Sequence, residues 1–153
     1  MVMIDVVSRK GPNVSRSVWF TGSFEGFHEW GAAPADVDFL RRRHRHVFHW
    51  SAEVPVGHGD RDVEFIAGRR EVEGYIAERW PDGELGEMSC EMVAEEIGVH
   101  LLALYGSSWA RVSVSEDNEN GGRVLVTPPT HWPDEHLVDD HALLVNIFDG
   151  DEA

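Results

Sequence analysis

Strict alternation of apolar and polar residues in two stretches is the feature that most constrains what this chain can fold into. In the first stretch one parity is mostly apolar and closes with a histidine: Val18, Phe20, Gly22, Phe24, Gly26 and His28. In the second stretch one parity opens with two histidines: His44, His46, Phe48, Trp50, Ala52, Val54 and Val56. Because successive side chains of a strand point to opposite faces, both stretches predict β-strands with one buried face.

The three histidines of these rows are candidate metal ligands. His44 and His46 project from one strand face, and His28 from a neighbouring strand would complete a three-histidine site. Such a site leaves a zinc ion one open position for water or substrate. The alternative is that His-x-His occurs by chance in a chain with nine histidines. Against it, the polar nitrogens of two successive imidazoles on an apolar face do not easily find ordinary hydrogen-bond partners. Three further histidines fall outside the row and are interpreted as structural or solvated: His49, His58 and His100.

Composition indicates a single globular domain and narrows its partners. The 153 residues are 42% hydrophobic and include six Trp and seven Phe, enough for one sizeable core. The formal net charge of -15 argues against a nucleic-acid backbone or an anionic membrane as partner. One cysteine, Cys90, excludes an internal disulfide and a four-cysteine zinc site. No apolar stretch has the length of a membrane span and residues 1 to 16 lack a signal peptide's apolar core, so the expected location is the cytoplasm.

The remaining segments predict two helices followed by two more strands. A polar connection over residues 31 to 43 predicts a long hairpin loop between the first two strands. After a break at residues 57 to 62, helical spacing of apolar residues from Phe65 to Trp80 predicts a first helix of about four turns. Ser89 is the expected N-cap of a second helix, which Gly106 ends. Strands at residues 111 to 116 and 123 to 127 complete an α+β domain with the order ββααββ, spanning residues 1 to 127.

Glu116 is a second candidate for chemistry because it ends the apolar row of the third strand. Ala110, Val112 and Val114 share its parity. One interpretation is a strand-end residue turned to solvent. The other is a ligand anchor, because a carboxylate accepts two parallel hydrogen bonds from a guanidine-like edge such as that of a pterin or guanine.

Five short motifs follow one another along these elements. They are Phe24-Glu25-Gly26-Phe27-His28, His44-Arg45-His46, Val63-Glu64-Phe65, Met88-Ser89-Cys90-Glu91 and Val112-Ser113-Val114-Ser115-Glu116. This order, over roughly residues 15 to 127, resembles the 6-pyruvoyl-tetrahydropterin synthase family, which includes 6-carboxy-tetrahydropterin synthase. The family pattern is Phe-x-x-x-His, a loop, His-Gly-His, Asp-Phe, Pro-Thr-Ser-Glu or a relative, and Glu-Thr. The 15 residues between His28 and His44 suit that loop.

The resemblance implies a zinc enzyme with the T-fold, a four-stranded antiparallel sheet backed by two helices. Its motifs assign zinc to His28, His44 and His46, the pterin ring to Glu116, and positions beside the ring to Ser89 and Cys90. Copies of such a sheet join into a barrel, which removes its two open edges. Family members are commonly hexamers of two trimers with sites between subunits. The resemblance therefore implies a homo-oligomer, a trimer or hexamer, in which Glu116 of one chain lies near the metal of another.

The sequence departs from the family pattern in the residues that move protons. The loop before His-x-His, where the family carries a cysteine or in some variants a glutamate, offers only Asp36 and Asp38. No histidine stands between the helices, where the family has an Asp-His pair. After Pro128-Pro129 an acidic extension, residues 128 to 153, contains Asp140-His141, which echoes that pair. This predicts an extension that folds back over the pocket to supply general acid/base groups, or alternatively a surface helix with an incidental histidine.

Two classes of function follow. The first is a zinc-dependent lyase acting on dihydroneopterin triphosphate, in biopterin synthesis or in queuosine and other deazapurine synthesis. In such an enzyme the negative charge of the triphosphate would be bound by four arginines close in sequence: Arg41, Arg42, Arg43 and Arg45. Those arginines also have a plainer interpretation, as a solvated loop with salt bridges. The second class is a non-catalytic T-fold oligomer that binds a pterin, a purine or another protein.

Overall fold

Two long antiparallel strands form the centre of the sheet in this computed structural model, which describes residues 13–129. They are β1, Arg16–His28, and β2, His44–Val56. The further elements are α1 (Phe65–Arg79), β3 (Glu84–Gly86), α2 (Cys90–Tyr105), β4 (Ala110–Glu116) and β5 (Asn120–Val126). The strand order in the sheet is β3-β1-β2-β4-β5. The predicted α+β class is therefore confirmed.

The alternation predicted for β1 and β2 separates a buried face from an open one. On the buried face Phe48 is 0% and Trp50 2% exposed, whereas Thr21 on the other parity is exposed. The register of the two strands places His28 directly opposite His44. One face of the hairpin therefore belongs to the core along most of its length and ends in histidines.

Both helices cover that buried face. α1 packs against β1, and α2 packs against β4 and β5. The helix ends follow the predicted caps, since the Ser89 hydroxyl accepts a hydrogen bond from the backbone N–H of Met92 and Gly106 ends α2 with a φ of 56°. Glu64 caps α1 by accepting from two backbone N–H groups of its first turn. Within residues 13–129 no helix is long and apolar enough to cross a membrane.

The prediction of a four-stranded antiparallel sheet is wrong in one respect, because a fifth strand is present. β3 runs parallel to β1 and pairs with its last residues, Phe27 and His28. The turn Pro81–Gly83 leads the chain there, and a Cβ at Gly83 (φ 73°) would collide with the carbonyl oxygen of Glu25. A strand of three residues is too short to show alternation, which explains why the sequence pattern does not reveal it.

Two connections also differ from their predicted form. The expected loop between β1 and β2 contains a short 3-10 helix, Ala35–Arg41. β5 begins at Asn120 rather than at residue 123, because a tight turn with positive φ at Asp117 and Asn118 lets the strand pair with β4 at once. The division into a domain of residues 1–127 and an extension of residues 128–153 stays a prediction, since the extension lies almost entirely outside the described residues.

A pair of glycine substitutions tests the helix ends. Gly106→Ala should lower the free energy of unfolding by about 1 kcal/mol, because a Cβ is unfavourable in the left-handed cap. Gly74→Ala is the matched control: no atom lies within 4 Å of a Cβ added there in α1. It should raise the unfolding free energy by about 0.5–1 kcal/mol through helix propensity. Urea unfolding followed by circular dichroism measures both, and equal effects of the two substitutions would contradict the assigned cap.

Candidate metal centre

Three histidine side chains meet at the end of the β1–β2 hairpin where the connecting loop begins and ends. His28 ends β1 opposite His44, the first residue of β2, and His46 follows on the same face. The ring centroids lie 4.5 Å apart for His28 and His44, 5.0 Å for His44 and His46, and 5.4 Å for His28 and His46. The fully buried ring of Phe48 lies below them, 5.3 Å from His28. The structure thus brings together the three histidines that the sequence pattern singles out.

Each of these rings uses its Nδ1 atom in a hydrogen bond to a group that can only accept. The acceptors are the carbonyl oxygen of Met88 for His28 (3.1 Å), the carbonyl oxygen of Arg42 for His44 (2.6 Å) and Oδ2 of Asp117 for His46 (2.6 Å). Because carbonyl and carboxylate oxygens carry no proton, Nδ1 must donate in all three rings. In the neutral rings Nε2 therefore presents a lone pair.

The three Nε2 atoms are buried and have no hydrogen-bond partner. One nitrogen from each ring lies within 4.8 Å of the other two. Leaving a buried polar atom unpaired costs about 1–3 kcal/mol. A cation bound by all three Nε2 atoms would remove that cost for each of them. Hydrogen bonds from Nδ1 to carbonyls and a carboxylate are also the arrangement typical of metal-ligating histidines. The donor set fits zinc, which takes three neutral imidazoles and a further ligand.

Glu116 lies beside the histidines of its own chain. Its Oε1 is 3.4 Å from Nε2 of His28, and its Oε2 is 3.5 Å from Nε2 of His46. The register of β2 and β4 sets Glu116 opposite Phe48, two residues from His46 on the same face. Strand pairing thus brings Glu116 to the histidines of its own chain. The expected place of Glu116 near the metal of another chain stays a prediction.

Cys90 is a protonated thiol at this site. Its Sγ donates to Oε1 of Glu116 over 3.7 Å. Burial, and then the negative charge of Glu116, raise the pKa of the Cys90 thiol to about 12. The thiolate needed for a base or nucleophile is therefore scarce at neutral pH. The hydroxyl of Ser89, the neighbouring candidate, caps α2 by accepting a hydrogen bond from the backbone N–H of Met92 over 3.3 Å.

Asp117 contacts the histidine cluster, and sequence reasoning does not identify it as a site residue. Its Oδ2 accepts from Nδ1 of His46, and its Oδ1 accepts from the backbone N–H of Val47 over 2.9 Å. These two hydrogen bonds hold the pKa of Asp117 below its ordinary value. The adjacent acids Glu116 and Asp117 are visible in the sequence, but the contact with His46 depends on the β2–β4 register.

Of the proton-moving residues suggested by the sequence, the two that the structure describes, Asp36 and Asp38, are not brought to the histidines. Asp36 and Asp38 lie exposed on the 3-10 helix, and neither forms a hydrogen bond or ion pair with the cluster within residues 13–129. Asp140 and His141 lie outside the described residues. The described part of the site therefore consists of three histidines that could hold a metal ion and the neighbouring carboxylates of Glu116 and Asp117.

Most of the arginines assigned to a triphosphate already have partners. These are the carbonyl oxygen of Ala33 for Arg41, the carboxylate of Glu84 for Arg43 and the carboxylate of Glu25 for Arg45. Arg42 is exposed, and its side chain has no hydrogen-bond or ion-pair partner among residues 13–129. The plainer interpretation, a loop with salt bridges, describes Arg43 and Arg45.

Two cavities are lined mainly by residues on the open face of the sheet. Their volumes are about 290 and 590 Å³, and the larger is lined by hydroxyl groups together with His49, Arg69 and Arg123. Neither includes a residue of the histidine cluster. The cavities and the histidine cluster therefore lie on opposite faces of the sheet. We place the candidate site at the histidines, because the three unpaired Nε2 atoms converge there and the described linings of the two cavities hold no comparable group.

Comparison with known proteins relates the fold to one enzyme class. The chain matches a solved structure of 6-pyruvoyl tetrahydropterin synthase from Plasmodium falciparum with a TM-score of 0.54, at 17% sequence identity. The match covers 76% of this chain and 100% of that chain. No protein-family model and no curated protein matches the sequence. At this identity the likeness establishes a distant relationship in fold, the T-fold of that synthase.

Loss of the Asp117 carboxylate tests whether it orients a metal ligand. Asp117→Ala should weaken zinc binding by about 10- to 100-fold, the usual effect of removing an outer-shell partner of a ligating histidine. His49→Ala is the control, because His49 lies on the same strand but points to the other face. Competition with a chromophoric zinc chelator measures the affinities. Equal affinities of Asp117→Ala and the unmodified protein would show that Asp117 does not support the site.

Alkylation of the single cysteine tests its protonation. At pH 8 a thiol of pKa about 12 is ionised in only about one molecule in ten thousand, against roughly a quarter for a free cysteine. Iodoacetamide should therefore modify Cys90 at least about a hundredfold more slowly in the folded protein than in urea. Mass spectrometry over a time course measures both rates, and comparable rates would contradict the protonated thiol.

Proposed function

We propose that the protein is a zinc-dependent lyase of the 6-pyruvoyl- or 6-carboxy-tetrahydropterin synthase type, acting on dihydroneopterin triphosphate. The observation that carries the proposal is the convergence of three buried, unpartnered imidazole nitrogens, from His28, His44 and His46. Their place in a fold related to a pterin synthase supports this choice over other three-histidine sites. Product and pathway, in biopterin or deazapurine synthesis, belong to the same proposal.

In this proposal the chain's residues hold and shield the reacting part of the substrate. The three imidazoles bind zinc through Nε2, and their Nδ1 hydrogen bonds fix the ring orientations. Zinc, when bound, supplies a Lewis acid that polarises hydroxyl and carbonyl oxygens of the substrate side chain, so that a neighbouring C–H becomes more acidic. The buried ring of Phe48 closes the floor of the site against water.

The substrate side of the site is assigned to Glu116 and to the start of α2. The Glu116 side chain is 32% exposed, so it is accessible to N–H or O–H donors of a pterin. The Cys90 thiol donates to the same carboxylate and steadies it. Ser89, one residue earlier, fixes the first turn of α2 beside this carboxylate.

Proton removal is assigned to Asp140 and His141 of the C-terminal extension. Within residues 13–129 the alternatives are poor, because Cys90 is protonated and Asp36 and Asp38 face solvent. An imidazole oriented by a carboxylate suits general acid/base work near neutral pH. The extension would then fold over the site.

A second candidate function is a non-catalytic T-fold oligomer that binds a pterin, a purine or a protein. The observation that favours it is the same shortage of a base among the described residues. In both cases we propose a cytoplasmic homo-oligomer of three or six chains. The edge of β5 pairs with no further strand of the described chain, and a neighbouring copy would cover it.

Incubation with dihydroneopterin triphosphate, with release of triphosphate as the readout, tests the enzyme proposal. The unmodified protein should release triphosphate and contain one zinc per chain. His44→Ala should lose zinc and turnover together. His141→Ala should keep zinc and lose turnover by about 10²- to 10⁴-fold, the usual contribution of a general acid or base. His49→Ala, on the opposite face of β2, should keep both.

The outcomes separate the two functions. Stoichiometric zinc without release of triphosphate would favour the binding protein. Absence of zinc from protein purified without chelator would contradict the metal centre. Unchanged turnover of His141→Ala would remove the extension from the mechanism and leave the lyase proposal standing.

A further inference from the structure

The Glu116 carboxylate faces two imidazole nitrogens without a hydrogen bond to either. Its oxygens lie 3.4 Å from Nε2 of His28 and 3.5 Å from Nε2 of His46. Neither contact is a hydrogen bond, since both Nε2 atoms lack a hydrogen-bond partner and both rings donate from Nδ1. A carboxylate and two lone pairs in this arrangement repel one another unless a cation lies between them.

The distances match the edges of a metal coordination shell. With zinc bonds of 2.0–2.2 Å, two ligand atoms of a tetrahedral site lie about 3.3–3.6 Å apart. Both oxygen–nitrogen distances at Glu116 fall in this range. An ordinary strand-end glutamate would instead turn its carboxylate to water, as Glu119 does in the adjacent turn.

The backbone that carries Glu116 is fixed to the strand that carries two of the histidines. The N–H of Asp117 donates to the carbonyl of Val47 over 2.8 Å, and the Asp117 carboxylate accepts from His46. The Cys90 thiol contacts the Glu116 carboxylate itself. The two contacts of Asp117 thus fix the backbone beside Glu116, and the thiol is a third contact, made to the carboxylate directly.

We propose that Glu116 is the fourth protein ligand of the metal and occupies the position that a three-histidine site leaves open. This inference rests on the metal centre of the proposed function but not on its pterin chemistry. The Glu116 side chain is 32% exposed, which is more than the 11% of His28 and the 21% of His46. It is therefore the ligand that a substrate oxygen would most readily replace, and its carboxylate would then be free to accept a hydrogen bond from the substrate.

Cobalt(II) in place of zinc tests this assignment in the unmodified protein. With Glu116 as a ligand, the visible absorption should be that of a four-coordinate site, and millimolar azide should leave it unchanged. In Glu116→Gln the position opens, so azide should shift the spectrum. The variant's zinc affinity should fall by at least the roughly tenfold loss expected for an outer-shell partner. Glu119→Gln, three residues along and exposed, is the matched control and should behave as the unmodified protein.

The unmodified protein alone can overturn the proposal. If azide shifts its cobalt spectrum as much as that of Glu116→Gln, the position is open and Glu116 is not a ligand. If Glu116→Gln retains its circular dichroism but no longer binds cobalt, the ligand assignment is supported. Azide insensitivity together with no release of triphosphate would support the ligand and reject only the lyase, so the two proposals fail separately.

Discussion

The register of the β1–β2 hairpin is the constraint on which the rest of the structure depends. It places His28 opposite His44, and it is held in the core, where the rings of Phe24 and Phe48 stack at 5.4 Å. A slip of one residue would turn every buried side chain of one strand to the open face and separate the histidines. The geometry of the candidate metal centre is therefore maintained by hydrophobic packing along the strands, and the β1–β2 connection adds the Arg42 carbonyl that orients His44.

Features with a repeating pattern could be predicted from the sequence, whereas features set by register could not. Alternation in β1 and β2, helical spacing in α1 and the caps Ser89 and Gly106 all express local rules, and the structure has them. The three histidines follow from the same alternation. β3 is too short to show a pattern, and its parallel pairing with β1 depends on a turn at Gly83. Asp117 and the position of Glu116 depend on which residues of β2 and β4 face each other.

The charges around the site favour a cation more clearly than they favour a triphosphate. The chain carries a formal charge of -15, and Glu116 and Asp117 both direct carboxylates toward the histidines. Of the four nearby arginines, only Arg42 has no side-chain partner among residues 13–129, and the ion pairs of Arg43 and Arg45 would have to break before those side chains could bind phosphate. A polyanionic substrate therefore needs either that rearrangement or cations from another chain.

The difference between a structural and a catalytic metal here depends on how easily Glu116 leaves. A closed set of four protein ligands is the arrangement of structural zinc, whereas catalysis requires a position for substrate. The three histidines are held by Nδ1 hydrogen bonds to the carbonyl oxygens of Met88 and Arg42 and to the carboxylate of Asp117, so they cannot turn without breaking those bonds. Glu116 is held by its own backbone and by a weak thiol donor, Cys90. Because a thiol is a weak hydrogen-bond donor, losing this contact costs less than losing the hydrogen bonds that hold the histidines, so Glu116 is the ligand that leaves at the lowest cost.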